Sequence, residues 1–153
     1  MPCPGKTVER IRDQGQDSGF SINFGSDDFC ISMGPRTTGS GFIELADGRL
    51  AVSAYTGDPT VSYYFTSEDK GASWNYGGVI AEAFNETYLY ETPGGVLLAY
   101  LRAKDVNGRK SILYRARSED GGATWSDPLP LFKGFPACVG TFGSGSLCLA
   151  YGY

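Results

Sequence analysis

Two charged side chains in the middle of the sequence have the types and the spacing to act on one ligand. Glu86 stands before a predicted strand, 87–91, and Arg102 follows the strand that returns from it, 96–101. Because antiparallel neighbours run in opposite directions, the start of the first strand and the end of the second lie at the same rim of a sheet. A guanidinium can grip a carboxylate with two parallel hydrogen bonds, and a glutamate can accept a proton. We therefore predict a polar site here; the alternative is a solvated loop glutamate and a strand-end arginine that faces water.

The segments that must position this pair have the composition of a β protein. The 153 residues are 41% apolar and 14% aromatic, which is enough for a globular core. The 22 glycines and eight prolines punctuate short runs rich in Tyr, Phe, Val, Leu and Ile, and no long stretch has the 3.6-residue period of an amphipathic helix. The sequence therefore predicts an all-β fold.

One eight-residue pattern occurs twice, and we name its copies the first repeated turn (67–74) and the second repeated turn (118–125). The second copy follows the first by 51 positions. In each copy a hydroxyl and a carboxylate open a tight turn, a glycine supplies a positive φ, a second hydroxyl closes the turn, and a tryptophan follows as an apolar plug. The strand directions place both turns at the rim opposite Glu86 and Arg102, so we predict a structural role for them. The shared residues are Ser67, Asp69, Gly71, Ser73 and Trp74 in the first copy and Ser118, Asp120, Gly122, Thr124 and Trp125 in the second.

The repeat divides the chain into units. An irregular lead-in with a hairpin, 1–38, precedes a four-stranded unit at 39–80 and another at 84–133, and a third unit starts at 135–153. Four-stranded antiparallel units repeated roughly every 45 to 50 residues are typical of propeller blades. The sequence therefore predicts about two and a half blades of a β-propeller. Because such a set cannot close a ring, we expect a fragment that is inactive alone and that has open strand edges.

Charge and composition exclude several kinds of site. The formal charge is −4 and the pI is near 4.8, with no basic stripe, which argues against nucleic acid as a partner. The sequence contains no histidine, which excludes a Ser-His-Asp triad, a Cys-His pair and a His-ligated zinc site. We predict neither a metal nor a cofactor.

The cysteines and the start of the chain carry little information about function. Cys3, Cys30, Cys138 and Cys148 show no CxxC spacing, so buried free thiols are the favoured interpretation and a Cys138–Cys148 disulfide is the alternative. Residues 1–14 lack the apolar core of a signal peptide, and no window of about 18 apolar residues could span a membrane. We predict no membrane partner, and the compartment stays open.

The repeated turns fit the pattern S-x-D-x-G-x-[TS]-W and resemble the Asp box of sialidases, which marks the turn between the third and fourth strands of blades in a six-bladed propeller. A third string, 135–141, is similar to the P-x-C-x-G-[ST] string at the entry of the next blade. Together these matches align the chain, from about Gly39 onward, with the middle blades of a sialidase. The segment between the turns also resembles a sialidase pattern, N-E-x…G-x-L-L-x-x-x-R, carried by Asn85, Glu86, Thr87, Gly94, Leu97, Leu98 and Arg102.

The resemblance implies a retaining glycoside hydrolase that removes terminal sialic acid, so a sialylated glycan is the implied partner. Glu86 matches the carboxylate that activates a tyrosine nucleophile, and Arg102 matches one member of an arginine triad that grips the substrate carboxylate. The nucleophile and the third arginine have no match in this chain. Arg36 is a poor substitute for the family's R-I-P string, and Asp58 is on the correct face for a general acid, although the alignment assigns that acid to an earlier blade.

Two alternatives stay open beside a hydrolase. The same repeat also occurs in non-catalytic proteins, so the chain could be an Asp-box propeller segment that binds a glycan or a protein. The other alternative is self-association, in which copies of the chain supply one another's missing blades through their open edges.

Overall fold

A computed structural model describes residues 7–13, 16–23, 30–33, 42–56, 59–103, 112–142 and 146–152. Within these residues all regular structure is β-strand, which confirms the all-β fold, and none of them forms a helix long and apolar enough to cross a membrane. The strands are β1 (Thr7–Asp13), β2 (Gln16–Asn23), β3 (Cys30–Met33), β4 (Ile43–Glu44), β5 (Leu50–Tyr55), β6 (Val61–Ser67), β7 (Asn75–Glu82), β8 (Phe84–Glu91), β9 (Leu97–Ala103), β10 (Ile112–Ser118), β11 (Leu129–Lys133), β12 (Phe135–Thr141) and β13 (Leu147–Gly152).

The strands form four antiparallel meanders that follow one another along the chain. The first sheet contains β1–β3, the second sheet β4–β7, the third sheet β8–β11 and the fourth sheet β12 and β13, each with its strands in chain order. Successive sheets are in contact: β3 contacts β5, β5 and β6 contact β8, and β12 contacts β8 and β9. Four-stranded meanders packed in this succession are consistent with part of a propeller-like fold.

The first sheet contains a strand that the sequence did not reveal. The apolar alternation around Ile22 and around Ile31 coincides with β2 and β3. These two strands form an antiparallel pair in which Ile22 and Ile31 are partners. β1 lies on the other side of β2, and its register shifts between Ile11 and Arg12. Its apolar residues Val8 and Ile11 are spaced by three positions, so they show no two-residue alternation that would predict a strand.

The core is formed by strands that carry apolar side chains on both faces of their sheet. One face of the third sheet packs on the second sheet, and the other face packs on the fourth. Along β8, therefore, Leu89 points to the second sheet while Tyr88 and Tyr90 point to the fourth. The cluster between the second and third sheets comprises Leu45, Ala51, Tyr64, Ile80, Ala81, Leu89, Leu97, Ala99, Leu101 and Ala116.

The two repeated turns carry the same hydrogen bonds. In the first, Asp69 Oδ1 accepts from Ser67 Oγ at 2.8 Å and from Ser73 N at 2.7 Å, Asp69 Oδ2 accepts from Ser73 Oγ at 2.5 Å, and Ser67 Oγ accepts from Gly71 N at 2.8 Å. The side-chain oxygens thus accept hydrogen bonds from backbone N–H groups of the turn, as in turns where the backbone alone cannot satisfy them. The second turn repeats these bonds at 2.8, 2.9, 2.5 and 2.8 Å with Ser118, Asp120, Gly122 and Thr124.

The tryptophans that close the two turns pack differently. Trp74 is fully buried and stacks on Phe42, with ring centroids 5.2 Å apart. Trp125 is partly exposed, donates its Nε1–H to the Gly122 carbonyl at 3.1 Å, and meets the Tyr64 ring edge-on at 5.7 Å. The second repeated turn is therefore anchored to the second sheet as well as to its own.

Cys148 in β13 is a free thiol. It lies opposite Gly140 in the β12–β13 ladder, whereas Cys138 lies opposite Ala150. Because the Cys148 thiol is free, the structure contradicts the Cys138–Cys148 disulfide that the sequence left open.

Candidate functional site

A β-bulge at the start of β8 shapes the candidate site. β8 and β9 pair regularly from Thr87 to the hairpin turn, but the register shifts by one residue between 84 and 87. Asn85 and Glu86 therefore lie together opposite Arg102. A bulge bends its strand and changes the direction of a side chain. At this bulge the Glu86 carboxylate contacts the Arg102 guanidinium.

Glu86 and Arg102 form an ion pair that solvent can reach. Arg102 Nη1 donates to Glu86 Oε2 at 2.7 Å, and the side chains of Arg102 and Glu86 are 26% and 30% exposed, respectively. A pair this exposed contributes at most about 1 kcal/mol to stability. A guanidinium carries its N–H donors in a planar fork, a geometry that matches a planar anion such as a carboxylate.

Buried hydroxyl groups of the second sheet hold the bulge in place. Ser62 is fully buried, and its Oγ lies 2.8 Å from the Asn85 carbonyl oxygen and 2.8 Å from Thr87 Oγ1. Thr87 Oγ1 lies 2.9 Å from the same carbonyl, and Ser53 Oγ donates to the Thr87 carbonyl at 2.6 Å. The position of Glu86 therefore depends on β5 and β6 as well as on its own sheet.

The second repeated turn lies at the opposite rim from this pair. Along the β9–β10 ladder Arg102 is opposite Leu113, whereas Leu97 is opposite Ser118. Five residues of extended strand separate the two ends, which is a distance of about 16 Å. The first repeated turn has the corresponding place in the second sheet, since it also joins the third strand of a sheet to the fourth.

The aspartates of the two turns are stabilised as carboxylates. The side-chain and backbone donors of the closing residue, Ser73 or Thr124, together with the serine that opens the turn, lower the pKa of Asp69 and of Asp120 from 3.8 to about 2. A carboxyl group with so low a pKa is a poor proton donor near neutral pH. The hydrogen bonds therefore indicate a structural role for both aspartates within their turns.

Comparison of the sequence with known protein families identifies the family of this chain. The profile of the BNR repeat-like domain matches residues 22–151, which is most of the chain. The chain belongs to the BNR repeat-like domain family. This result confirms the relation to the sialidase superfamily that the repeated turns indicate.

Two similar proteins are informative for this BNR repeat-like chain, one in sequence and one in fold. It is 35% identical over 91 residues to an anhydrosialidase from Macrobdella decora, an alignment that covers 55% of this chain and 11% of the relative. A crystal structure of a protein of unknown function from Dyadobacter fermentans DSM 18053 superposes with a TM-score of 0.65 at 24% identity, covering 94% of this chain and 47% of that one. The chain thus spans a minor part of the curated relative, and the second likeness shows the fold alone.

The structure brings together two of the four residues that the sequence predicts for the site of this BNR repeat-like chain. Glu86 and Arg102 are in contact, whereas Arg36 and Asp58 lie outside the described residues. Within the described part of the chain no group of three or more Cys, Asp or Glu residues is arranged to hold a metal ion.

Sequence reasoning missed the residues that support the pair. Ser53 and Ser62 stand inside apolar strand runs, and such hydroxyls are more often satisfied within their own sheet. Their bonds to β8 cross between sheets, so no local spacing in the sequence could have predicted them. The bulge itself left no glycine or proline as a signal.

Proposed function

We propose that this chain forms part of the substrate site of a sialidase-like glycoside hydrolase that removes terminal sialic acid from glycans with retention of configuration. The observation that carries the proposal is the contact of Arg102 with Glu86, half-buried at a bulge and remote from the repeated turns. The 35% identity to an anhydrosialidase supports the same reaction class.

In this proposal each member of the pair has a distinct task. Arg102 binds the carboxylate of sialic acid through its guanidinium, which matches a planar anion better than a lysine would. Glu86 accepts the proton of a tyrosine hydroxyl while the phenolic oxygen attacks the anomeric carbon. The glycosidic bond breaks, the leaving oxygen takes a proton from a general acid, and water later cleaves the bond between tyrosine and sugar.

The remaining groups of that reaction are not assigned within the described residues. No tyrosine of this chain is matched to the nucleophile. Asp58 is the candidate for the general acid and Arg36 the candidate for a further arginine, on the basis of the sequence alone. The repeated turns serve in this proposal as Asp boxes, which hold the corners of the blades and take no part in the chemistry.

The same pair supports a second function, the binding of an acidic glycan without catalysis. A carboxylate that already accepts a bond from the arginine fixes the orientation of the guanidinium, and this is useful for recognition even when no nucleophile is present. Turnover distinguishes the two functions, because only the hydrolase depends on Glu86 as a proton acceptor.

Binding of N-acetylneuraminic acid to the 153-residue chain tests the shared part of the proposal. Ligand-observed NMR should detect the sugar on the wild-type protein and should show at least tenfold weaker binding for Arg102→Leu. The matched control is Arg117→Leu, which removes an arginine that is also paired with a glutamate, Glu119, but at the opposite rim. Equal binding by wild type and Arg102→Leu would overturn the proposal.

Turnover of a fluorogenic sialoside tests the catalytic part. We expect none from the chain alone, and measurable turnover from a fusion with the blades that follow in a related sialidase. In that fusion Glu86→Gln should lower kcat by about 100- to 1000-fold, the usual effect of removing one charge-stabilising group. Sialic acid binding without turnover in the wild-type fusion would favour the non-catalytic function instead.

A further inference from the structure

The second strand of the fourth sheet forms an edge whose sequence is open to pairing. In the part of the chain that the structure describes, the second and third sheets contain four strands each, whereas the fourth contains β12 and β13. β13 reads Leu-Cys-Leu-Ala-Tyr-Gly, with no charge and no proline. A regular, uncharged edge strand is a template on which another strand can pair.

The long edge strands of the second and third sheets differ from β13 in this respect. β7 contains two shifts of register, β8 contains the bulge at the candidate site, and β11 contains Pro130 and ends at Lys133. A proline removes a ladder donor, a bulge interrupts the ladder, and an edge lysine opposes a second strand. In the β12–β13 pair the extra residue, Ala137, lies on β12, so β13 itself is regular.

The backbone of every second residue of β13 points to the open edge. Phe142 N donates to the Ser146 carbonyl at 3.0 Å, so these opposite residues form a hydrogen-bonded pair beside the hairpin turn. Hydrogen-bonded and non-hydrogen-bonded pairs alternate along an antiparallel ladder, and residues of the second kind direct their N–H and C=O groups away from the partner strand. These outward residues of β13 are Leu147, Leu149 and Tyr151.

The open edge is complementary to itself about a two-fold axis at Leu149. An antiparallel second copy with this centre places Leu149 opposite its own counterpart and Leu147 opposite Tyr151 of the second copy. Because all three are outward residues, each of these pairs can exchange two backbone hydrogen bonds. The side chains of Leu147 and Tyr151, which are 44% and 48% exposed, lie on one face and cover each other across the new ladder. On the other face, the small side chains of Cys148 and Ala150 are opposite each other.

We propose that β13 pairs antiparallel with β13 of a second copy of this chain, so that β12, β13 and their counterparts form one four-stranded sheet. The completed sheet has the same number of strands as the second and third sheets. The pairing satisfies the outward backbone groups and covers apolar side chains without placing a charge in the ladder. This interface lies on the fourth sheet, so it does not depend on the proposed function.

Analytical ultracentrifugation of the 153-residue chain, over a series of concentrations and under reducing conditions, tests the interface. The wild type should show a monomer–dimer equilibrium. Leu147→Lys/Tyr151→Lys puts like charges opposite each other in the dimer, whereas Leu147→Lys/Tyr151→Glu removes the same side chains and puts opposite charges there. The second variant should dimerise at least about tenfold more tightly than the first. The control Leu129→Lys changes a leucine that is 58% exposed on β11, and it should keep the dissociation constant of the wild type.

Amide hydrogen exchange of the wild type tests the register without any substitution. At concentrations above the dissociation constant, exchange should slow at the outward residues of β13, because their N–H groups become bonded to the second copy. The amides of Cys148 and Ala150 already bond to β12, so the change in their protection should be smaller.

Several outcomes would overturn this interface. They are a wild-type chain that stays monomeric at every concentration, equal dissociation constants for the two double variants, and loss of the dimer in Leu129→Lys. Concentration-dependent protection that is absent from the outward residues of β13 would also overturn it. None of these results bears on sialic acid binding at Arg102, so the proposed function is tested separately.

Discussion

Lys70 and Gly121 occupy the same position of the two repeated turns, and both have a left-handed backbone, with φ of 57° and 71°. A residue with a Cβ loses about 1–2 kcal/mol in this region, whereas glycine enters it without strain. The left-handed position is therefore occupied by glycine, which suits it, in the second repeated turn and by lysine, which is strained there, in the first.

Replacement of Lys70 by glycine should stabilise the protein by about 0.5–1 kcal/mol, since relief of the strain exceeds the added entropy of the unfolded chain. Urea unfolding measures this change. Ala72→Gly is the control within the same turn, because Ala72 does not have a positive φ, and it should lower stability instead. A loss of stability in Lys70→Gly would contradict the backbone assignment.

Gly71→Ala and Gly122→Ala should differ although both positions have a similar left-handed backbone, with φ of 90° and 95°. A Cβ at Gly71 meets nothing closer than 3.7 Å, whereas a Cβ at Gly122 would lie 2.2 Å from the Tyr64 ring. We expect Gly122→Ala to cost about 1–3 kcal/mol more, the usual cost of overpacking. Urea unfolding of both variants measures the difference.

A smaller side chain at position 64 tests the cause of that difference. In a Tyr64→Leu background the extra cost of Gly122→Ala should shrink, while the cost of Gly71→Ala should stay the same. An undiminished difference would mean that the Tyr64 ring is not the obstacle.

Acid should destabilise the protein through the repeated turns. Asp69 and Asp120 have a pKa of about 2 in the folded protein against an ordinary 3.8, so the folded state binds fewer protons than the unfolded state between these values. The contribution of these carboxylates is therefore complete above about pH 4 and is lost as the pH falls toward 2. Unfolding midpoints measured from pH 5 to pH 2 should show this decline.

The variant Asp69→Asn/Asp120→Asn should be less stable at neutral pH and should have a flatter dependence on pH below 4. A residual slope is expected from Asp47, whose pKa is lowered chiefly by its hydrogen bond from the Arg49 backbone. Asp127→Asn is the charge control near the second turn, and at this exposed position it should leave the stability at neutral pH close to that of the wild type. An unchanged slope in the double variant would show that the turn carboxylates do not titrate as described.

The sequence was sufficient for the parts of the site that depend on strand direction. Because Glu86 precedes one strand and Arg102 ends the next, their common rim follows from antiparallel pairing, and the contact at 2.7 Å agrees with it. The all-β fold was predictable from the composition, because short apolar runs between glycines and prolines are typical of strands and too short for helices.

The parts that the sequence did not show depend on contacts between sheets. Ser62 bonds to residues more than twenty positions away, and its neighbours in the sequence do not indicate this partner. The bulge at Asn85 and Glu86 adds one residue without any glycine.

Removal of the Ser62 hydroxyl should loosen the bulge that presents Glu86. Ser62→Ala takes a donor away from the Asn85 and Phe84 carbonyls in a fully buried position, where an unsatisfied group costs about 1–3 kcal/mol. Urea unfolding should show a loss of this size. The control is Ser126→Ala, since the Ser126 hydroxyl accepts a backbone bond from Arg117 at an exposed site where water can replace it.

Amide hydrogen exchange decides whether the effect of Ser62→Ala is local. Because Ser62 contacts β8 at its first residues, exchange should accelerate at residues 85–87 well beyond the change expected from the loss of global stability. β10, which the hydroxyl does not contact, should follow the global change alone. A uniform acceleration over both strands would reduce Ser62 to an ordinary buried hydrogen bond, and the position of Glu86 would then have to be set within the third sheet by the pairing of β8 with β9.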